Sequence, residues 1–400
     1  MAATATPAAR LRWPQVMAWR AARHHLEERL PAKAMLEVVA DIAGLHAQVL
    51  SSAELTLWAR VEGLEPDAVR QALWEERSLV KTWAMRGTLH LLPAAEFPRW
   101  QAARSTTRLW EAGAWQRGFG ITLKELERLN DAVAEALDGQ LLTREELASR
   151  VGELTGSKRL GDKLRESWGA LLKPAAALGL LCFAPSKGQQ VRFTRPDTWL
   201  GGWTGHDPDE AMDEVTRRFL AASGPVTRED FARWWGIPSP ARGARLLQRL
   251  GEEVARVEVE GMAAYALAAD LPGLAKAGGR GKAAGGGPRT VRLLPAFDQY
   301  VVTATRQAEH LMPGPFKARV YRPQGWLSPV LLVGGRMDGI WRQEASGKRL
   351  LVTIEPFAGP PPAWARRAAE AEAERLAAFT GGPLELRWAD PASPGGAAKG

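Results

Sequence analysis

Cysteine is almost missing from this chain. Cys182 is the single thiol in 400 residues, so no internal disulfide can form. Its place in the apolar run LGLLCFAP marks a buried, inert thiol rather than a nucleophile. Histidine is scarce too, at six, and no Cys/His cluster has metal-ligand spacing, so no metal is expected. No stretch approaches 18 uninterrupted apolar residues, which argues against a transmembrane helix and a membrane partner. The N-terminal MAATATPAAR lacks the apolar centre of a secretory signal, so the expectation is a cytoplasmic protein. A P-loop, a dinucleotide fingerprint, a zincin helix and a Ser/His/Asp elbow are all missing. Nucleotide-driven and metal-driven chemistry are not indicated, and no cofactor is expected.

What is abundant is positive charge and tryptophan. Lys plus Arg number 53 against 45 Asp plus Glu, a net charge of +8. The sequence pI is near 9.8. That balance favours an acidic partner, nucleic acid before anionic membrane. Surplus Arg on a solvated surface is the plain alternative. The hydrophobic share of 46 % and charged share of 24 % are those of a globular protein, and the length predicts two to four domains. Most of the 17 Trp should be core, but a few on an open basic face could stack on bases.

The clearest internal signal is a repeat. LTREELASRVG (142–152) is echoed by VTREDFARWWG (226–236), with Thr143 and Thr227 84 positions apart. Each Thr suits a helix N-cap, with acidic residues in the first turn. A further helical stretch and a two-stranded wing come after each copy: LGLLCFA with VRFT, then VARVEV with YALA. A diverged third copy lies upstream. Its helices are PAKAMLEVVADIAG, SSAELTLWARVEG with the capping box Ser51-x-x-Glu54, and PDAVRQALWEER. VKTWAM and TLHLLP then flank Arg86-Gly87 as a hairpin. Three helices plus a hairpin is the winged-helix plan.

The expected architecture is therefore α+β: three tandem winged-helix units and a small C-terminal β-barrel-like domain. The units span 12–95, 122–200 and 208–270. A Gly-rich basic linker, 271–290, leads to the β-domain at 291–390. That domain reads as the strands VRLLPAF, YVVTAT, SPVLLVGG, RMDGIW and RLLVTIEPF, then the helix PPAWARRAAEAEAERLAAF and LELRW. The tail PASPGGAAKG reads as disordered.

One stretch does not fit its surroundings. LHAQVL (45–50) sets His46 and Gln48 among apolar residues. Gly44 is a natural stop for the helix before it, and Ser51 with Glu54 a natural start for the next. A short extended link is expected, with His46 and Gln48 on one face about 6.5 Å apart. That spacing can hold one water between two polar tips. A polar link bonding loop backbone is the bland reading.

G-L-H-A-Q followed by LWARV, then W-A-M-R-G-T-L-H-L-L, L-L-P-A-F-D-Q-Y and G-G-R-M-D-G-I-W, resembles the AlkZ-type DNA glycosylases. The resemblance runs through roughly residues 12–388 by motif order. It implies three winged-helix units and a C-terminal β-barrel. It also implies excision of alkylated purines and unhooking of interstrand crosslinks in double-stranded DNA. The family's catalytic motif is a polar residue, an apolar residue, then Gln or Asp. Many members have Gln first, where this chain has His46-Ala47-Gln48.

Those residue types suit the chemistry. A purine alkylated at N7 or N3 is cationic and leaves without protonation, so no strong general acid is required. A carboxamide such as Gln48 can orient water through its carbonyl oxygen. His46 could accept a proton from that water or bond the sugar. No motif positions a Lys for a Schiff base, so a monofunctional enzyme is expected. Arg86, Thr88 and His90 on the hairpin, and Arg104 and Arg108 on a helix, are candidate DNA contacts. Arg217 and Arg218 are weaker ones, Arg336 in GGRMDGIW belongs to the β-domain with no role assigned, and Asp298 reads as a structural group. The acidic entries of the two repeat helices argue for scaffolding there. The alternative function is a non-catalytic winged-helix transcriptional regulator. As a DNA enzyme the chain would sit at the nucleoid, and no obligate protein partner is evident.

Overall fold

Both T-R-E-[ED] repeats start helices. In the computed structural model, which describes residues 6–278, 290–346 and 349–391, the Thr143 amide donates to Glu146 Oε2 at 2.7 Å. The Glu146 amide returns a bond to Thr143 Oγ1 at 3.3 Å. Thr227 and Asp230 form the same reciprocal pair, at 2.9 and 3.1 Å. Each box satisfies two amides that a helix start leaves orphaned. The helices are Arg144–Thr155 and Arg228–Trp235.

The elements downstream of each box repeat as well. Lys158–Glu166 and the antiparallel strands Cys182–Lys187 and Gln190–Thr194 succeed the first. Pro240–Arg249 and the hairpin Val254–Val259 with Met262–Leu267 succeed the second. Upstream run Met35–Asp41, Leu50–Trp58 and Ala68–Trp74, then the hairpin Leu79–Trp83 with Leu89–Pro93.

The described residues divide into two compact units. One takes those of Met1–Ala68, Arg217–Trp234 and Ser239–Gly400; the other takes Val69–Thr216 and Trp235–Pro238. This division crosses the boundaries expected from sequence. The hairpin Leu79–Trp83/Leu89–Pro93 groups with the residues after it, because packing rather than chain order defines a unit.

The second unit has a core built at helical spacing. Leu126, Leu129 and Val133 from Leu123–Ala136 meet Leu147 and Val151 from Arg144–Thr155. Helices Arg144–Thr155 and Lys158–Glu166 touch through backbone at Gly161. A Cβ there would lie 2.5 Å from the Ala148 carbonyl oxygen. Cys182 is buried, and burial pushes its thiol pKa far up, which keeps it protonated and inert.

The first unit holds three sheets among the described residues, the smallest of them the parallel pair Leu30–Pro31 with Val61–Glu62. Strand Ala9–Leu11, unforeseen in the sequence, pairs in parallel with Val254–Val259. The largest sheet runs Val291–Leu294, Val330–Val333, Arg336–Ser346 and Arg349–Pro356 as an antiparallel meander. Helix Ala363–Thr380 then crosses over to add the parallel edge strand Leu384–Trp388. A barrel needs its edge strands to pair, and here Val291–Leu294 and Leu384–Trp388 are opposite edges of an open sheet. The expected barrel-like domain is thus an open sheet.

Two further expectations are corrected. YVVTAT, whose β-branched run suggests a strand, is the helix Gln299–Thr303. Its start is set by Asp298, whose Oδ1 accepts from the Tyr300 amide at 2.9 Å, and this cap overrides the β propensity. The expected linker begins as a helix, Leu271–Lys276, with Leu274 buried. The rest of the linker from 279 to 289, and the tail from 392, lie outside the described residues.

Candidate active site

The link that carries His46 begins with a Schellman turn. Ala43 donates to the Ala40 carbonyl at 3.0 Å and Gly44 to that of Val39 at 2.9 Å. Both have positive φ, +59° and +89°, so the stop expected at Gly44 falls jointly on a non-glycine. Leu45 and His46 are extended, Gln48 lies on a bend, and the next helix starts at Leu50 with Val49 as its N-cap. Ser51 therefore lies inside the first turn, and the expected Ser51–Glu54 box is not the cap. His46 is buried and Gln48 is exposed. Strand alternation covers too few residues to align the two side chains by itself.

The imidazole of His46 lies flat on Phe297, with ring centroids 4.8 Å apart and planes 12° apart. Phe297 in turn meets Trp326 in a T-shaped contact, 4.9 Å and 77°. Phe297 sits at φ +61°, a conformation bulky residues rarely adopt unless their surroundings over-determine it.

Its neighbour supplies that constraint. Asp298 binds Arg60 bidentately, each carboxylate oxygen 2.7 Å from its own guanidinium nitrogen, and both side chains are wholly buried. Arg60 also donates to the Thr56 carbonyl at 2.9 Å, on helix Leu50–Trp58. The segment holding Phe297 is thereby clamped to the helix that comes after Gln48. Asp298 acts as both helix cap and arginine partner, the structural role expected of it.

Other arginines finish that helix. Arg375 donates to the Trp58 and Val61 carbonyls at 2.8 and 2.6 Å, and Arg29 to that of Ala59 at 3.2 Å. Cations suit the negative end of a helix dipole. Glu372 accepts from Arg29 and lies 3.8 Å from Arg292. Burial pushes the Arg292 guanidinium down to about 10, with Glu372 opposing. His24 packs edge-on against Tyr300 at 5.5 Å. Burial first, then the charges of Arg60 and Arg20, hold its imidazole well below the usual range, so it is neutral at pH 7. Among the described residues, no three His, Cys, Asp or Glu side chains gather as a metal site would need.

The candidate DNA contacts fall in the other unit. Arg86 sits at the hairpin turn with φ +57° and is half-buried. Thr88 is half-buried and donates its hydroxyl to the Met85 carbonyl at 3.1 Å. His90 has no exposed surface, and its Nδ1 lies 3.0 Å from the Thr88 carbonyl oxygen. A side chain with no exposed surface cannot enter a groove, which corrects the groove-contact reading. Arg104 lies over the Trp235 ring at 5.7 Å, and burial pushes it down to about 10. Lys173 is lowered by burial and then by the charge of Arg104. Its Cδ would lie 3.6 Å from a Cβ on Gly87, which places it at the hairpin turn.

Other surface cations already face carboxylates. Arg108 pairs with Glu111 at 3.3 Å, Arg217 with Glu253 at 2.7 Å, and Arg336 with Asp338 at 2.7 Å. Sequence reasoning does not single out Phe297, Trp326, Arg60 or Lys173. LLPAFDQY draws attention only to Asp298, and no linear spacing joins it to Arg60.

Comparison with known proteins shows which family the chain resembles. A family model described as DNA glycosylase AlkZ-like matches residues 39–379. An interstrand DNA cross-link repair glycosylase from Streptomyces sahachiroi is 36 % identical over 377 residues, 92 % of this chain and 96 % of that protein. The solved structure of the Streptomyces sahachiroi DNA glycosylase AlkZ superposes with a TM-score of 0.83 at 34 % identity, covering 95 % of this chain and 100 % of that one.

Proposed function

The chain belongs to the AlkZ-like DNA glycosylase family, and on that premise we propose that it is a monofunctional DNA glycosylase. It hydrolyses the N-glycosidic bond of cationic alkylated purines in double-stranded DNA, N7 and N3 adducts and interstrand crosslinks included, and leaves an abasic site. The observation that carries this reading is His46, held flat against Phe297 at 4.8 Å and two residues before the exposed Gln48. A buried, stacked imidazole has a defined orientation, as a group that steers water must.

The roles come from chemistry. Gln48 orients the attacking water through its carboxamide oxygen, and His46 accepts the proton or bonds the sugar. The purine departs with its own positive charge neutralised, so neither residue need be a strong acid. Water attack at C1′ passes through an oxocarbenium-like sugar, as in other glycoside cleavages.

DNA is held by Arg86, Thr88, Arg104 and Arg108, together with Lys173. Arg104 and Lys173 are desolvated neighbours of like charge, a pairing that an incoming phosphate relieves. The repeated helix–helix–hairpin series reads as three winged-helix units, with the open sheet as the C-terminal domain. A regulator would need the same charge and repeats but would leave the His46–Phe297 arrangement without a task.

The test is a duplex carrying 7-methylguanine, incubated with enzyme and then alkali to break abasic sites. Wild type gives strand scission. His46→Ala and Gln48→Ala lose it while still binding the duplex. Full scission by both variants overturns the assignment of roles; absence of scission by wild type overturns the function.

A further inference from the structure

Trp326 stands open beside a stack that is otherwise buried. It is 47 % exposed, whereas Phe297 and His46 are each 7 % exposed. Single exposed apolar residues are ordinary on protein surfaces. This one stands on a built support. Arg322 donates to the Trp326 carbonyl at 2.8 Å, the Trp326 amide donates to that of Pro323 at 3.3 Å, and Tyr321 pairs with Leu327. The reversal uses left-handed backbone at Gln324 and Gly325. Beneath it the Tyr321 hydroxyl donates to the Val301 carbonyl at 2.8 Å, and Ser328 Oγ to that of Arg319 at 2.8 Å. Residues 323–326 form an exposed tip on a pinned base.

Ring contacts run from the tip to the proposed catalytic imidazole, Trp326 to Phe297 and Phe297 to His46. An aromatic path thus runs from the proposed catalytic group to solvent, and it ends in an indole with nearly half its area uncovered.

We propose that Trp326 is the stacking platform for the alkylated purine and the residue that favours a cationic base over a neutral one. This rests on the glycosylase reading. Alkylation at N7 or N3 spreads a positive charge over the purine ring. Indole has the most electron-rich face of any side chain, so it stacks on a cationic purine more strongly than on a neutral one. An open platform also accepts a bulky adduct that a closed pocket would reject. Trp326 thereby contributes selection, while His46 and Gln48 contribute chemistry.

The experiment is single-turnover release of 7-methylguanine from duplex DNA by full-length wild type, Trp326→Ala and Trp326→Phe. Each protein is also titrated with a duplex carrying tetrahydrofuran, an abasic analogue with no base to stack on. The expected result is that Trp326→Ala slows release roughly tenfold and Trp326→Phe recovers most of the rate. All three proteins bind the tetrahydrofuran duplex alike. Wild-type release by Trp326→Ala, or a parallel loss of tetrahydrofuran binding, overturns the role. If wild type releases no 7-methylguanine, the glycosylase reading fails and this role falls with it.

Discussion

Arg60 and Asp298 face each other as a planar, two-bonded pair, both contacts 2.7 Å and both side chains without solvent exposure. They are 238 positions apart in sequence. The pair links helix Leu50–Trp58 to the segment that presents Phe297 to His46.

Removing one partner leaves a buried charge uncompensated. Arg60→Ala and Asp298→Ala are each expected to lower unfolding free energy by about 3–5 kcal/mol. The double variant should lose less than the two losses added together, because it leaves neither charge stranded. Denaturant titration of the four proteins measures the coupling, and strict additivity would contradict it.

His24 predicts an acid sensitivity. Its folded-state pKa lies well below that of the unfolded chain. Above about pH 6.5 both states are neutral and the full stability is present. As pH falls below that value the unfolded chain takes up a proton that the folded one refuses. Stability is then lost by up to about 1.4 kcal/mol per pH unit until the folded pKa is reached. His24→Gln should flatten the fall in denaturation midpoint between about pH 6.5 and 5. An unchanged slope would show that other groups govern it.

Arg104 and Lys173 predict a salt signature. If both touch phosphates, Arg104→Ala and Lys173→Ala each weaken duplex binding regardless of sequence. Each also reduces the slope of log affinity against log salt by about one. Binding measured across a salt series decides this, and an unaltered slope would place both cations away from the DNA.

Ala43 predicts a stabilising change. It holds φ +59° at the position where helix ends favour glycine. Ala43→Gly should relieve that strain and raise stability by about 0.5–1 kcal/mol, net of the added freedom of the unfolded chain. A shift of the denaturation midpoint upward, with scission activity retained, is the expected outcome.

Much of this molecule was legible in short range. The Thr143 and Thr227 boxes, the hairpin after each helix pair, and the strands of the C-terminal sheet depend on residues within a few positions of one another. His46 and Gln48 stood out because polar side chains interrupt an apolar run. The misread positions are both helix starts. Asp298 turned YVVT into a helix, and the start expected at Ser51 moved to Leu50.

By itself the sequence determined the local elements and the basic charge, and set His46 and Gln48 apart as polar residues in an apolar run, since capping, periodicity and residue chemistry act within a turn or two of chain. The tertiary structure alone decided that Phe297 lies on His46, that Arg60 clamps Asp298, that His90 is buried and that Trp326 is open. Each of these joins or separates groups that no sequence spacing relates, and packing in three dimensions is the only interaction that acts across such a gap.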